Sequence, residues 1–193
     1  MPWIVDYQLV LDQMRGQGLR SLYHNSGAFG FAENQALHTV AWIGPADETI
    51  RPGVAGVIRS IPEPYELNLA ELATWMWQKH LPGRVWLMPM SHWAYELEFG
   101  SRDWLPAVLE NAGVDPGLLK GRNTGDAIEF SAQETLPFSH VLQRLLEMLL
   151  GSDFMLAFPD RRVLCTVHHH QQLWWTTPEE GLASSAAVLV RGE

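Results

Sequence analysis

Val163-Leu164-Cys165-Thr166-Val167-His168-His169-His170-Gln171-Gln172-Leu173-Trp174-Trp175 reads as an extended run, rich in β-branched and aromatic residues. Successive strand side chains point to opposite faces, which puts Val163, Cys165, Val167 and His169 on one side and Thr166, His168, His170, Gln172 and Trp174 on the other. The first set is mostly apolar and predicts a face packed under helices. The second is polar and predicts a face left open, as an antiparallel sheet permits.

Phe154 to Phe158 precedes this run across the turn Pro159-Asp160-Arg161, so the two segments form a hairpin. Before it, Phe138, Val141, Leu142, Leu145, Leu146 and Leu149 make the strongest helical stripe in the chain, closed by Gly151. The same order occurs earlier. Asn68 and Glu71 form a capping-box pattern that opens a helix carrying Leu69, Leu72, Ala73 and Met76. Val85 to Met88 and Trp93 to Phe99 then read as two strands about Pro89-Met90-Ser91-His92. A shift of 70 residues lays Leu72 and Met76 on Leu142 and Leu146, and Pro89 on Pro159. Two helix-hairpin-helix units, about 65–125 and 132–190, are therefore a candidate pseudo-repeat. The fold class expected is α+β: one domain over residues 1–193, an antiparallel sheet with helices packed mainly on one face.

The remaining segments fit this plan. Apolar spacing predicts a helix over 3–14, a loop over 21–34 and a strand over 37–43. A turn-rich connection around Gly44-Pro45 and Arg51-Pro52-Gly53 leads to a short run over 54–58 and to breaks at Pro62 and Pro64. A helix over 104–112 accepts Pro106 in its first turn and ends at Gly113. Ala127 to Ser131 predicts a strand, and Thr177-Pro178-Glu179-Glu180 the start of a last helix. Trp75, Trp93 and Trp104 have phases that suit a core, whereas Trp77, Trp86 and Trp174 do not.

Thirteen Lys and Arg against 22 Asp and Glu give a formal charge of −9, which repels phosphate backbones and anionic lipid. Nucleic acid and membrane are excluded as expected partners. Residues 93–135 hold eight acids against three bases and are the acidic part of the chain. The single cysteine, Cys165, cannot form an internal disulfide, and Met1 to Asp6 shows no basic leader, so a cytoplasmic location is expected.

If both hairpins lie in one sheet with matching phase, the open face gathers His92, Glu96, Glu98, His168, His170, Gln172 and Trp174. These are the candidate binding residues. Imidazoles, carboxylates and an indole together suit a non-catalytic binding or interaction module whose partner is a protein or a small molecule. The alternative is a metal-assisted hydrolase using His168, His170, His92 and a carboxylate from Glu96 or Glu98. A second alternative is a homo-oligomer joined through the same face. No His-Glu-x-x-His, Cys-x-x-Cys, P-loop or Gly-x-Ser-x-Gly pattern occurs, so the sequence calls for no metal, no other cofactor and no assigned catalytic residue.

Overall fold

The computed structural model describes residues 1–32, 36–44, 57–60 and 68–189. The breaks expected at Pro62 and Pro64, and most of the turn-rich connection before them, lie outside those residues. Strands β1 (Trp3–Val5), β7 (Ala127–Phe130), β6 (Val85–Pro89), β8 (Phe154–Ala157), β9 (Leu164–His168), β10 (Gln172–Thr177), β4 (His38–Ile43) and β5 (Val57–Ser60) lie side by side in that order. Every pairing is antiparallel except the parallel β4–β5 edge. A separate two-stranded ribbon joins β2 (Leu19–Ser21) to β3 (Phe29–Phe31).

Helices α2 (Leu69–His80), α4 (Leu105–Asn111), α5 (Thr135–Met148) and α6 (Glu180–Leu189) share one core with the first face of the sheet, and the fold is α+β as expected. The Asn68 capping box is present in full: Asn68 Oδ1 accepts from the Glu71 amide at 2.9 Å and Glu71 Oε2 from the Asn68 amide at 3.0 Å. The α5 stripe buries Phe138, Val141, Leu142, Leu145 and Leu146, and Phe138 meets Trp77 and Phe130 edge-on. Trp42 donates its indole N–H to the Ala186 carbonyl, fastening α6 over β4.

The second face is not bare. Val85 to Pro89 and Phe154 to Ala157 are buried at every position, so these central strands have two apolar faces. Trp86, Met88, Met155, Ala157 and Leu164 point away from the main core and are covered by α1 (Tyr7–Gly16) and the β2–β3 ribbon through Tyr7, Val10, Met14, Leu19, Phe29 and Phe31. Half-buried polar or amphipathic side chains also lie on that face: Thr39, Thr166, His168, Trp174 and Thr176 over β9, β10 and β4, and Glu129 of β7, which accepts from the Trp86 indole N–H at 2.7 Å.

Four expectations change. The opening residues are a strand before a helix, because Trp3-Ile4-Val5 pairs with β7 and Asp6 caps α1 by accepting from the Gln8 amide. Residues 19–31 are not all loop but hold the β2–β3 ribbon. Trp75 lies on the outer side of α2, 41% exposed beneath Lys79 Nζ, and Trp77 takes the core position.

The fourth change is the largest. Residues 93–100 are helical, α3 (Trp93–Tyr95) running into one π-helical turn (Glu96–Gly100), so the earlier hairpin does not exist. Alternation of aromatic residues fits a strand, but the buried set is Trp93, Ala94 and Glu96, with Tyr95 and Phe99 outside, which is helical spacing. The Trp93 and Ala94 amides donate to the Thr124 and Arg122 carbonyls, and the Trp93 indole to the Asp126 carbonyl, so the first turn is held by the β7 approach. A helical 93–97 does not superpose on the strand at 163–167, and the proposed helix-hairpin-helix repeat is not shown.

Leu145 is fully buried in the main core, and Leu145→Ala is expected to cost about 3 kcal/mol in a urea titration. Burial pushes the Cys165 thiol well above its usual range. Cys165 should therefore resist alkylation by iodoacetamide in the native protein and react fully once the protein is unfolded in denaturant.

Candidate functional site

The strand registers bring several loops to one end of the sheet. Pro89 at the end of β6 faces Phe154 at the start of β8, Phe154 faces Val167, and His168 at the end of β9 faces Gln172, which in turn faces Ile43 of β4. Asp153 therefore sits one step before β8, beside the point where β9 ends.

The run expected as one strand over 163–175 is a hairpin turning at His169-His170-Gln171. Gln171 has φ +55°, the left-handed conformation that closes a three-residue hairpin loop, and its carbonyl accepts from the Gly44 amide at 3.2 Å. Folding the run back preserves half of the expected grouping. His168 and Gln172 are register partners, and Trp174 lies two residues on, so all three remain on one face. The His168 ring stacks on the Trp174 indole with centroids 4.5 Å apart and planes at 19°. Gln172 is buried and accepts from the Trp174 indole N–H at 2.8 Å, which fixes the indole edge.

The turn adds a residue that alternation assigns to the other side. His169 stacks on His168 with centroids 4.3 Å apart, and His170 lies 4.9 Å from His168 and 4.2 Å from His169. One nitrogen from each of the three imidazoles lies within 4.8 Å of the others. Asp153 joins them: its Oδ1 accepts from the His169 amide at 3.0 Å and sits 2.8 Å from His169 Nδ1, while its Oδ2 is 3.9 Å from His168 Nε2. The His170 amide donates to His168 Nδ1 at 3.2 Å, and His170 Nδ1 is shielded from solvent with no hydrogen-bond partner among the described residues. His168, His169 and Asp153 are only 14%, 26% and 24% exposed, so the cluster is a shallow, mostly desolvated rim.

His92, Glu96 and Glu98 are not part of that face, because their segment is helical. His92 precedes α3 and is half-buried, as is Glu98. Glu96 is fully buried, with Oε1 accepting from Ser91 Oγ at 2.7 Å and Oε2 from Ser101 Oγ and Ser152 Oγ at 3.0 Å each. Three hydroxyl donors replace the water that the carboxylate loses. With both oxygens occupied, Glu96 is not presented to the hairpin as ligand or base, and among the described residues the group of imidazoles and carboxylates close enough to share an ion is His168, His169 and His170. The link of Glu96 to the site is indirect. Ser152 binds Glu96 and the next residue, Asp153, binds His169, so the π-helical turn and the hairpin tip are tied through two consecutive side chains.

Asp153 and His169 are the members that sequence reasoning missed. Asp153 ends a loop before an apolar strand and carries no motif. His169 was visible, but only the reversal at Gln171 turns it towards its neighbours.

Glu96→Ala removes the acceptor shared by three serine hydroxyls and is expected to lower stability by about 3 kcal/mol, with Glu96→Gln costing roughly half as much because one acceptor oxygen remains. Chemical denaturation of both variants checks the order.

No protein-family model, curated protein sequence or solved structure matches the chain.

Proposed function

We propose that this chain is a non-catalytic binding module whose ligand site is the tip of the β9–β10 hairpin, formed by His168, His169, His170 and Asp153, with Gln172 and Trp174 fixing it from below. One observation carries this reading: three imidazoles and a carboxylate are gathered at a partly desolvated rim, where His170 Nδ1 is shielded from solvent with no partner among the described residues. A buried polar atom left unpaired costs stability unless something else satisfies it.

The surroundings favour binding over turnover. Ser91, Ser101 and Ser152 direct their hydroxyls at Glu96, and the Cys165 thiol is buried and held protonated, so these nucleophile candidates are committed elsewhere. The partner is a small ligand or the exposed group of a larger molecule that reaches a rim rather than a deep cavity. The net charge of −9 argues against polyanions. A lone reduced thiol fits a cytoplasmic setting, and no helix among the described residues is long and apolar enough to cross a membrane.

A mixed panel of small carboxylates, amines, planar heteroaromatics and divalent cations, read by nuclear magnetic resonance, tests this directly. Responding compounds should shift the resonances of Asp153, His168, His169, His170 and the Trp174 indole before any others. Trp174→Ala removes the ring on which His168 rests and should weaken every responder by up to about tenfold, the equivalent of one aromatic contact. A panel without responders, or responders that map to another surface, overturns the reading.

A further inference from the structure

We infer that the hairpin tip is a site for a borderline-soft divalent transition ion of the Zn²⁺ class, ligated by the imidazoles of His168, His169 and His170 and oriented by Asp153. This inference rests on the binding reading above and names the ligand.

The donor set selects the ion. Three imidazoles suit Zn²⁺, Ni²⁺, Co²⁺ or Cu²⁺, whereas Ca²⁺ and Mg²⁺ require mostly oxygen ligands. An anion held by protonated imidazoles would meet the Asp153 carboxylate, whose Oδ2 lies 3.9 Å from His168 Nε2, so the local charge favours a cation.

The reach suits such an ion, while the rings themselves are stacked with planes at 23°, 28° and 40°, so their in-plane lone pairs converge only after the rings turn. Zn–N bonds of about 2.0–2.1 Å place tetrahedral ligand atoms roughly 3.3 Å apart. The three ring nitrogens lie within 4.8 Å of one another before any ion is bound. Closing the remainder requires the rings to leave the stack, His169 and His170 within the turn and His168 at the end of β9.

Each ring has a defined role. His169 Nδ1 is held 2.8 Å from Asp153 Oδ1, which keeps its proton on Nδ1 and leaves Nε2 to donate a lone pair. This is the carboxylate–histidine–metal relay that fixes a ligand's tautomer and raises its basicity. His170 Nδ1 has no partner among the described residues and gains one on coordination. His168 is the ring that must change. Its Nδ1 accepts from the His170 amide, so ligation through Nε2 moves the ring proton to Nδ1 and breaks that bond. The His170 amide should therefore report the binding event.

The full chain, purified without a polyhistidine tag and stripped with a chelator, is titrated with Co²⁺ and then Zn²⁺ at about pH 7.5. One equivalent of Co²⁺ should bind, giving visible d–d absorption that Zn²⁺ displaces, together with a large shift of the His170 amide. His169→Ala and His170→Ala should each weaken binding at least about tenfold, and Asp153→Asn by about 10- to 100-fold through the lost orienting contact. Far-UV circular dichroism of the apo variants confirms folding, and His169→Gln with His170→Gln supplies a bulkier pair if an alanine variant fails. Affinity should fall as the pH is lowered, since protons compete for the same lone pairs.

Failure to bind either ion at about 1 mM, or stoichiometric binding unchanged when all three histidines are replaced, overturns the inference. If other panel compounds still perturb the hairpin tip, the binding reading survives and only the metal assignment falls. If nothing perturbs it, both fall.

Discussion

The central strands of the sheet are apolar on both faces, and the rest of the structure follows from the need to cover them. Val85 to Pro89 and Phe154 to Ala157 leave no polar side that water can occupy. Four helices close one face. The other is closed by α1 and the β2–β3 ribbon, which lay Tyr7, Val10, Met14, Phe29 and Phe31 over Trp86, Met88 and Met155. Asp126 holds this cover in place: it is buried, its Oδ1 accepts from the Tyr7 amide at the first turn of α1, and its Oδ2 accepts from Thr124 and Arg122. The same residue's carbonyl receives the Trp93 indole, so one short segment fastens both layers to the strand approach.

With most of both faces committed, polar chemistry is displaced to the sheet's end. There the strands stop, backbone groups turn to loops, and side chains from distant parts of the chain converge, which is where binding residues usually stand on a rigid scaffold. Asp153 from the loop before β8 and the histidines from the β9–β10 turn meet because the β8–β9 register sets them opposite one another. The buried Glu96 cluster lies next along the chain from Asp153, with three serine hydroxyls converging on one carboxylate. The tip is therefore braced from two sides, by Trp174 and Gln172 within its own hairpin and by Ser152 and Asp153 from the neighbouring loop. Such bracing keeps the rings ordered on a surface turn that otherwise has little to hold it.

Much of the fold was legible wherever a local signal matched its tertiary use. The Asn68 capping box, the α5 stripe and the strands at Val85, Ala127 and Phe154 all appear where their patterns place them. The strand pattern at Trp93-Tyr95-Leu97-Phe99 misled because alternating aromatics are also compatible with a helix whose inner side is completed by Ala94 and Glu96. Nothing local announces that a glutamate will be buried, since its three serine partners come from positions 91, 101 and 152.

The candidate site divides along the same line. Its chemical types, the histidine triplet followed by Gln172 and Trp174, belong to the sequence alone, and so do the α+β class, the acidic balance and the isolated thiol. Only the tertiary structure decided that the strand ends at His168 and turns through His169, His170 and Gln171, that Asp153 stands beside the triplet, and that the segment carrying Glu96 and Glu98 is helical. Residue types are fixed by the chain. Which of them meet depends on strand register and on a single left-handed residue, Gln171, and those are settled by packing across the sheet.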